Sequence, residues 1–134
     1  MIRIVRLGST RAANEGVRLG TVRRPPRGIP KTDYSKRDFY DVWLPTLAPS
    51  DALVKQALAI ASSDERSWLH FVRSYRKEMK EPAARHLLDT LAALSHQTDF
   101  AVGCYCEDER RCHRSILREL LLERGAAVAG ARSA

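Results

Sequence analysis

No run in this 134-residue chain approaches the roughly 18 apolar residues of a membrane span, so no membrane association is expected. The opening stretch MIRIVRLGSTRAANEG lacks the continuous apolar core and small-residue cleavage site of a secretory leader. Cysteine is scarce. The three cysteines, Cys104, Cys106 and Cys112, fall within nine residues, which rules out a disulfide framework pinning distant segments. These absences together point to a cytoplasmic protein with free or ligating thiols. There is no internal repeat, no low-complexity block and no excess of acid: 16 acidic residues face 23 basic ones, giving a net charge of +7. That balance favours anionic partners, namely nucleic acid, phosphorylated metabolites or an acidic protein face. The basic residues are spread along the chain, which reads as an ordinary basic surface. One local cluster stands out, Arg23-Arg24-Pro25-Pro26-Arg27-Gly28.

The length suits one domain. Alternation of Ile2 and Ile4 with Arg3 and Arg6 predicts a half-buried strand over residues 2–7, and a second alternating stretch covers 17–23. Residues 24–31 must then form an irregular loop, because Pro25, Pro26 and Pro30 lack backbone donors and Gly28 permits positive φ. The aromatic and β-branched residues 39–44 suggest a short strand. Ser50 can cap a helix to about residue 61, with Leu53, Ala57, Leu58 and Ile60 on its apolar face. Ser62 and Glu65 read as a capping box for a second helix, whose core stripe is Trp68, Phe71, Val72, Tyr75 and Met79. Pro82 opens a third helix, with Leu87, Leu88, Leu91 and Leu94 inside. His70, His86 and His96 read as surface or edge residues. A strand covered on both faces is expected over 100–106, followed by a helix over 111–124 with Ile116, Leu117, Leu120 and Leu121 inward. The expected fold is a single compact α/β domain over residues 1–125. It has a small, mainly parallel sheet of three to four strands packed with about four helices, and a flexible tail over 126–134.

The chemistry concentrates in GCYCEDERRCHR, residues 103–114. A strand-loop-helix at the carboxyl end of a buried strand is where open α/β sheets bind ligands. The expected helix would place Cys112, His113 and Arg114 in its first turn, where a thiol pKa is lowered by the free N–H groups. A pocket of Cys106, Glu107, Cys112, His113 and Arg114 follows. In it Arg114 would hold an anion, Glu107 or His113 would do acid/base work, and Cys106 or Cys112 would be a nucleophile or redox thiol. Three other readings compete. Cys104, Cys106, Cys112 and His113 form a soft donor set suited to zinc, yet adjacent Cys112 and His113 on a helix would project about 100° apart. No cofactor is therefore expected, with zinc as the secondary reading. The spacing Cys104-x5-Arg110 matches a thiol phosphatase, but its loop has no glycine and three carboxylates. Finally, the cysteines can be small buried hydrophobes, with Glu107 pairing to Arg114 to stitch the last helix to the sheet.

CYCEDERRCHRSILRELL resembles the signature of domain-of-unknown-function family 488, a Cys-Glu pair followed by Cys-His-Arg and a leucine-rich helix. The elements fall on Cys106, Glu107, Cys112, His113 and Arg114. GTVRRPPRGIPK and VWLPTLAPSDAL are similar to the YeaO-like branch, with which this chain combines a fuller cysteine block. The resemblance spans roughly residues 17–124. It implies a compact α/β domain of a cytoplasmic bacterial protein and brings no reaction with it.

The working expectation is a pocket between the loop at residues 23–28 and the turn at 104–114, binding or acting on a small anionic or nucleotide-like ligand. If the strands preceding these loops are neighbours, Arg23, Arg24, Arg27 and Arg114 converge on one anion site. A nucleic-acid-binding module is the alternative, weakened by the lack of an aromatic platform beside the basic loop in the sequence. A thiol redox or metal-binding protein is a further one. A helix-turn-helix regulator is disfavoured by strand-bearing segments at both ends.

Overall fold

The computed structural model describes residues 1–60 and 64–130. Four strands form one parallel sheet: β1 (Ile2–Arg6), β2 (Val17–Gly20), β3 (Val42–Trp43) and β4 (Phe100–Cys104), in the order β1-β4-β2-β3. The last strand in sequence is thus inserted between the first two. It pairs Ile2 with Phe100 on one side and Val17 with Phe100 on the other. Parallel strands need crossover connections, and the one from β3, past β2, to β4 carries α1 (Asp51–Ala59), α2 (Glu65–Glu78) and α3 (Pro82–Leu94). After β4, a short 3-10 turn (Glu109–Arg111) leads into α4 (His113–Glu123).

All four helices contribute to one core with Ile2, Phe100 and Val102 of the sheet. The α2 stripe is core as expected, with Trp68, Phe71, Tyr75 and Met79 all buried. Ser50 caps α1 by accepting from the Leu53 N–H. The second cap differs from the sequence expectation: Asp64 accepts from the Ser67 N–H and α2 starts at Glu65, while Ser62 lies outside the described residues. On α3 the buried set is Ala84, Leu88, Leu91 and Ala92, whereas Leu94 near the end of the helix is exposed. The three singly placed histidines, 70, 86 and 96, are all exposed. No helix among the described residues is long and apolar enough to cross a membrane.

A second buried cluster, with Leu7, Val22, Tyr40, Cys104 and Cys112, gathers near the carboxyl ends of β2 and β4. Small residues make room for it. A Cβ on Gly103 would lie 2.6 Å from Leu7 Cδ2 and 2.8 Å from the Val5 carbonyl. The 39–44 strand contracts to Val42–Trp43, because Asp38 takes a positive φ of 61° and Tyr40 turns inward over Gly20. The tail also departs from expectation. Residues 126–130 do not fray: the Ile2 N–H donates to the Ala127 carbonyl at 2.8 Å and the Ala129 N–H to Ile2 at 2.8 Å, with Val128 buried. The open edge of β1 offers unpaired backbone groups that this strip satisfies. Residues 131–134 are outside the described part.

Candidate functional site

Because β2 and β4 are hydrogen-bonded neighbours, the loops that follow them leave the sheet side by side. Between them lies a cavity of about 250 Å³, lined by Val22, Arg23 and Arg24 from one loop and by Cys104, Tyr105, Cys106, Cys112 and His113 from the other. Helix α1 forms a third wall with Val54, Ala57 and Leu58. Leu58 belongs to the rim rather than to the apolar helix face where its spacing put it, and is 83% exposed.

The three thiols converge, every pair of sulfurs lying within 4.8 Å. Cys104 donates to Cys106 Sγ at 3.8 Å. Cys104 and Cys112 are buried and Cys106 is exposed. The helix expected from residue 111 begins two residues later: Cys112 is extended, with φ −128° and ψ 152°, and forms the N-cap. That geometry removes the objection that Cys112 and His113 must diverge by a helical step, so Cys112 can turn back toward β4.

His113 is fixed by its partners. Its Nε2 lies 2.7 Å from the Thr21 carbonyl, and a carbonyl only accepts, so Nε2 carries the proton. The other ring nitrogen, Nδ1, faces Cys112 Sγ at 3.7 Å. Thr21 itself is held by its hydroxyl donating to the Gly103 carbonyl at 3.0 Å, and the Tyr75 ring meets the imidazole edge-on at 5.5 Å.

Arg114 lies beneath Cys106 rather than at the cavity wall. It is 3% exposed, donates from Nη2 to the Cys106 carbonyl, and its Nε has no acceptor. Among the described residues no carboxylate pairs with it. Glu107 in particular does not: its side chain is 85% exposed and turns to Arg6 at 3.5 Å, so neither the acid/base role nor the stitching pair with Arg114 is set up. The thiols respond to this layout. Hydrogen bonds from Cys104 and Cys112, against the cost of burial and with help from the Arg114 charge, hold the Cys106 thiol well below its ordinary value. Donation to its two neighbours pushes the Cys104 thiol up. Cys112 is shifted down by Cys104 and, against burial, by His113.

The four arginines do not meet at a point. The Arg23 guanidinium is spent on the carbonyls of Pro49 and Ala48 at 3.0 and 3.1 Å. Arg24 is 76% exposed and pairs with Asp51 at 3.0 Å. Arg27 is exposed on a neighbouring hollow, and Gly28 takes the positive φ, 73°, that its loop position requires. Sequence reasoning also missed Thr21, which period-two alternation placed only as one more strand residue. Its role appears once β2 and β4 are known to be adjacent. No curated protein and no solved structure matched the chain. A family model described as the active DUF488-N3 subclade, DUF488-N3a, matches residues 2–125. With the Cys-His-Arg block and the parallel α/β domain both inside that span, the chain belongs to the DUF488 family.

Proposed function

We propose that this protein handles a small anionic, electrophilic ligand with the Cys106 thiolate as nucleophile. The observation that carries the reading is Arg114, a buried guanidinium whose Nε lacks an acceptor and which has no carboxylate partner among the described residues. A buried charge left without a counter-charge costs several kcal/mol. A counter-charge within its reach is the sulfur of Cys106, exposed at the cavity mouth, on which the Arg114 charge acts. Hydrogen bonds from Cys104 and Cys112, with the Arg114 charge added, keep the thiol ionised, and the thiolate is the nucleophilic form. The rim arginines, Arg24 and Arg27, meet the ligand's own negative charge. In the reaction the sulfur bonds to the electrophilic atom, and the leaving group departs with the old bonding pair. Water then attacks the same atom, releasing the hydroxylated product, a proton and the free thiolate.

The test is the rate of alkylation by iodoacetamide against pH, followed by mass at each cysteine. Cys106 is expected to react half-maximally well below the roughly 8.5 of a free thiol, and Cys106→Ser abolishes the fast phase. Arg114→Met is expected to move the pH midpoint of Cys106 alkylation up by about one unit, while leaving thermal stability unchanged or raised, since replacing an unpaired buried charge by an apolar chain is often stabilising. An ordinary pH midpoint for Cys106 sinks the proposal.

A second reading, a soft metal ion bound by Cys104, Cys106 and Cys112, is supported by their mutual approach within 4.8 Å. Thiolate sets of this kind suit zinc or monovalent copper. The same alkylation experiment separates the two readings. A metal-capped cluster carries stoichiometric metal through dialysis, and its Cys106 becomes reactive only after chelation.

A further inference from the structure

A second hollow, about 390 Å³, opens beside the thiol cavity and is lined by Arg24, Pro25, Pro26, Arg27, Ile29, Phe39 and Tyr105. The two share Arg24 and Tyr105, so they are compartments of one cleft. Their volumes suit one small-molecule ligand, for which pockets run roughly 300–1,000 Å³. The basic loop in the sequence has no aromatic of its own, but the fold supplies two. Phe39 arrives from the segment before β3 and Tyr105 from the turn after β4, their rings 6.3 Å apart and edge to face. Both are half-buried and border the hollow, and Tyr105 is anchored by its hydroxyl donating to the Arg24 carbonyl at 2.9 Å. Among the described residues, no carboxylate lines either compartment. Arg27 has no carboxylate partner among the described residues and is free to bind.

A pocket with an aromatic and proline wall, the unpaired guanidinium of Arg27 and that of Arg24, which it shares with Asp51 outside the lining, selects a ligand with a flat ring at one end and a negative charge within reach. We infer that the hollow is a nucleobase subsite and that the ligand of this cleft is a mononucleotide. Its base lies against Phe39 and Tyr105, its phosphate meets Arg27 and Arg24, and its remainder extends toward Cys106. The inference deepens the reading of the thiol cavity as the reacting centre and rests on it, but binding to the hollow does not need the thiol.

The experiment measures affinity of the full chain for adenosine 5′-monophosphate, adenosine and ribose 5-phosphate by calorimetry, with Cys106→Ser alongside. Stacking and phosphate recognition each predict that the nucleotide binds about tenfold more tightly than either fragment. Cys106→Ser is expected to retain the nucleotide. Arg27→Ala is expected to weaken the nucleotide about fivefold and leave adenosine unchanged. Phe39→Leu, which keeps a bulky apolar side chain where Phe39→Ala risks misfolding, is expected to weaken adenosine and leave ribose 5-phosphate unchanged. Saturating nucleotide should also protect Cys106 of the unmodified protein from iodoacetamide. Equal affinity for ribose 5-phosphate and the nucleotide, absence of nucleotide binding, binding of an oligonucleotide alone, or binding without protection each overturns the inference. If alkylation of Cys106 stays fast while nucleotide binding fails, the subsite is wrong and the thiol reading stands. Slow alkylation with intact nucleotide binding means the opposite: the subsite stands and the thiol reading falls.

Discussion

Among the described residues two arginines are almost wholly withdrawn from solvent, and their surroundings differ sharply. Arg18, 0% exposed, is fully engaged: its guanidinium forks onto Glu15 at 2.8 and 2.9 Å and donates its remaining group to the carbonyls of Ser9 and Asp38. Arg114 keeps one donor unmet. The first is what a structural arginine looks like, and the second is the departure from polar satisfaction that marks a site. The sequence marked Arg114 through its place in the Cys-His-Arg block, whereas Arg18 read only as one more residue of the stretch over 17–23. Beside Arg18, Asp41 accepts from its backbone N–H at 2.8 Å and from Arg11 at 2.8 and 3.0 Å. Burial pushes the Asp41 carboxyl up, but the hydrogen bonds from Arg11, Ser35 and Arg18 outweigh it and hold the pKa down to about 2. A carboxyl depressed in the folded state stabilises above its unfolded value near 4, and that stability is lost as pH falls from about 4 through about 2. Asp41→Asn is therefore expected to cost about 1–2 kcal/mol at pH 7, with the gap from the unmodified protein narrowing between pH 4 and pH 2. Urea melts at a series of pH values read this directly, and a gap constant with pH would refute the assignment.

At the scale of elements, the strongly periodic pieces were the legible ones. The α2 stripe and the inner face of α4 read correctly because a 3.6-residue repeat of large apolar side chains has few other homes. The doubly covered β4 was legible from its apolar run, and all five of its residues are buried. What failed were boundaries set by side chains rather than period. The start of α4 carries no Ser, Thr, Asp or Asn at its cap, so nothing in the local sequence announced that Cys112 leaves the helix; the Asp108 side chain, accepting from the Arg110 N–H, starts the 3-10 turn instead. Gly103 is a similar case. It reads as a plain strand residue, yet β1 passes so close that a methyl group has no room. Gly103→Ala is expected to cost about 1–3 kcal/mol through overpacking against Leu7 and the Val5 carbonyl. It should also loosen Cys104, one residue on, raising its reactivity in the folded protein. Unchanged thermal stability would show that β1 and β4 can separate at no cost.

At the scale of the whole molecule, strand order was the piece missing from the sequence. The 23–28 loop and the 104–114 turn are some eighty residues apart, and only the β1-β4-β2-β3 order makes them neighbours. The same order brings Phe39 and Tyr105 to the basic loop, supplying the platform whose apparent absence had counted against base recognition. The net charge of +7 acts at this scale too, drawing anions from solution. For a mononucleotide touching two arginines, affinity is expected to fall only severalfold between 50 and 200 mM salt, whereas a module gripping six or more phosphates would lose about a thousandfold or more. Titrations at the two salt concentrations distinguish these outcomes. The strip at residues 126–130, lying parallel to β1 with Ile2 opposite Val128, has a mechanical consequence. Tension applied between those two stretches loads their backbone bonds side by side, in shear rather than one after another. The seam at the margin of the sheet is then the clasp that yields first, before any helix begins to unwind.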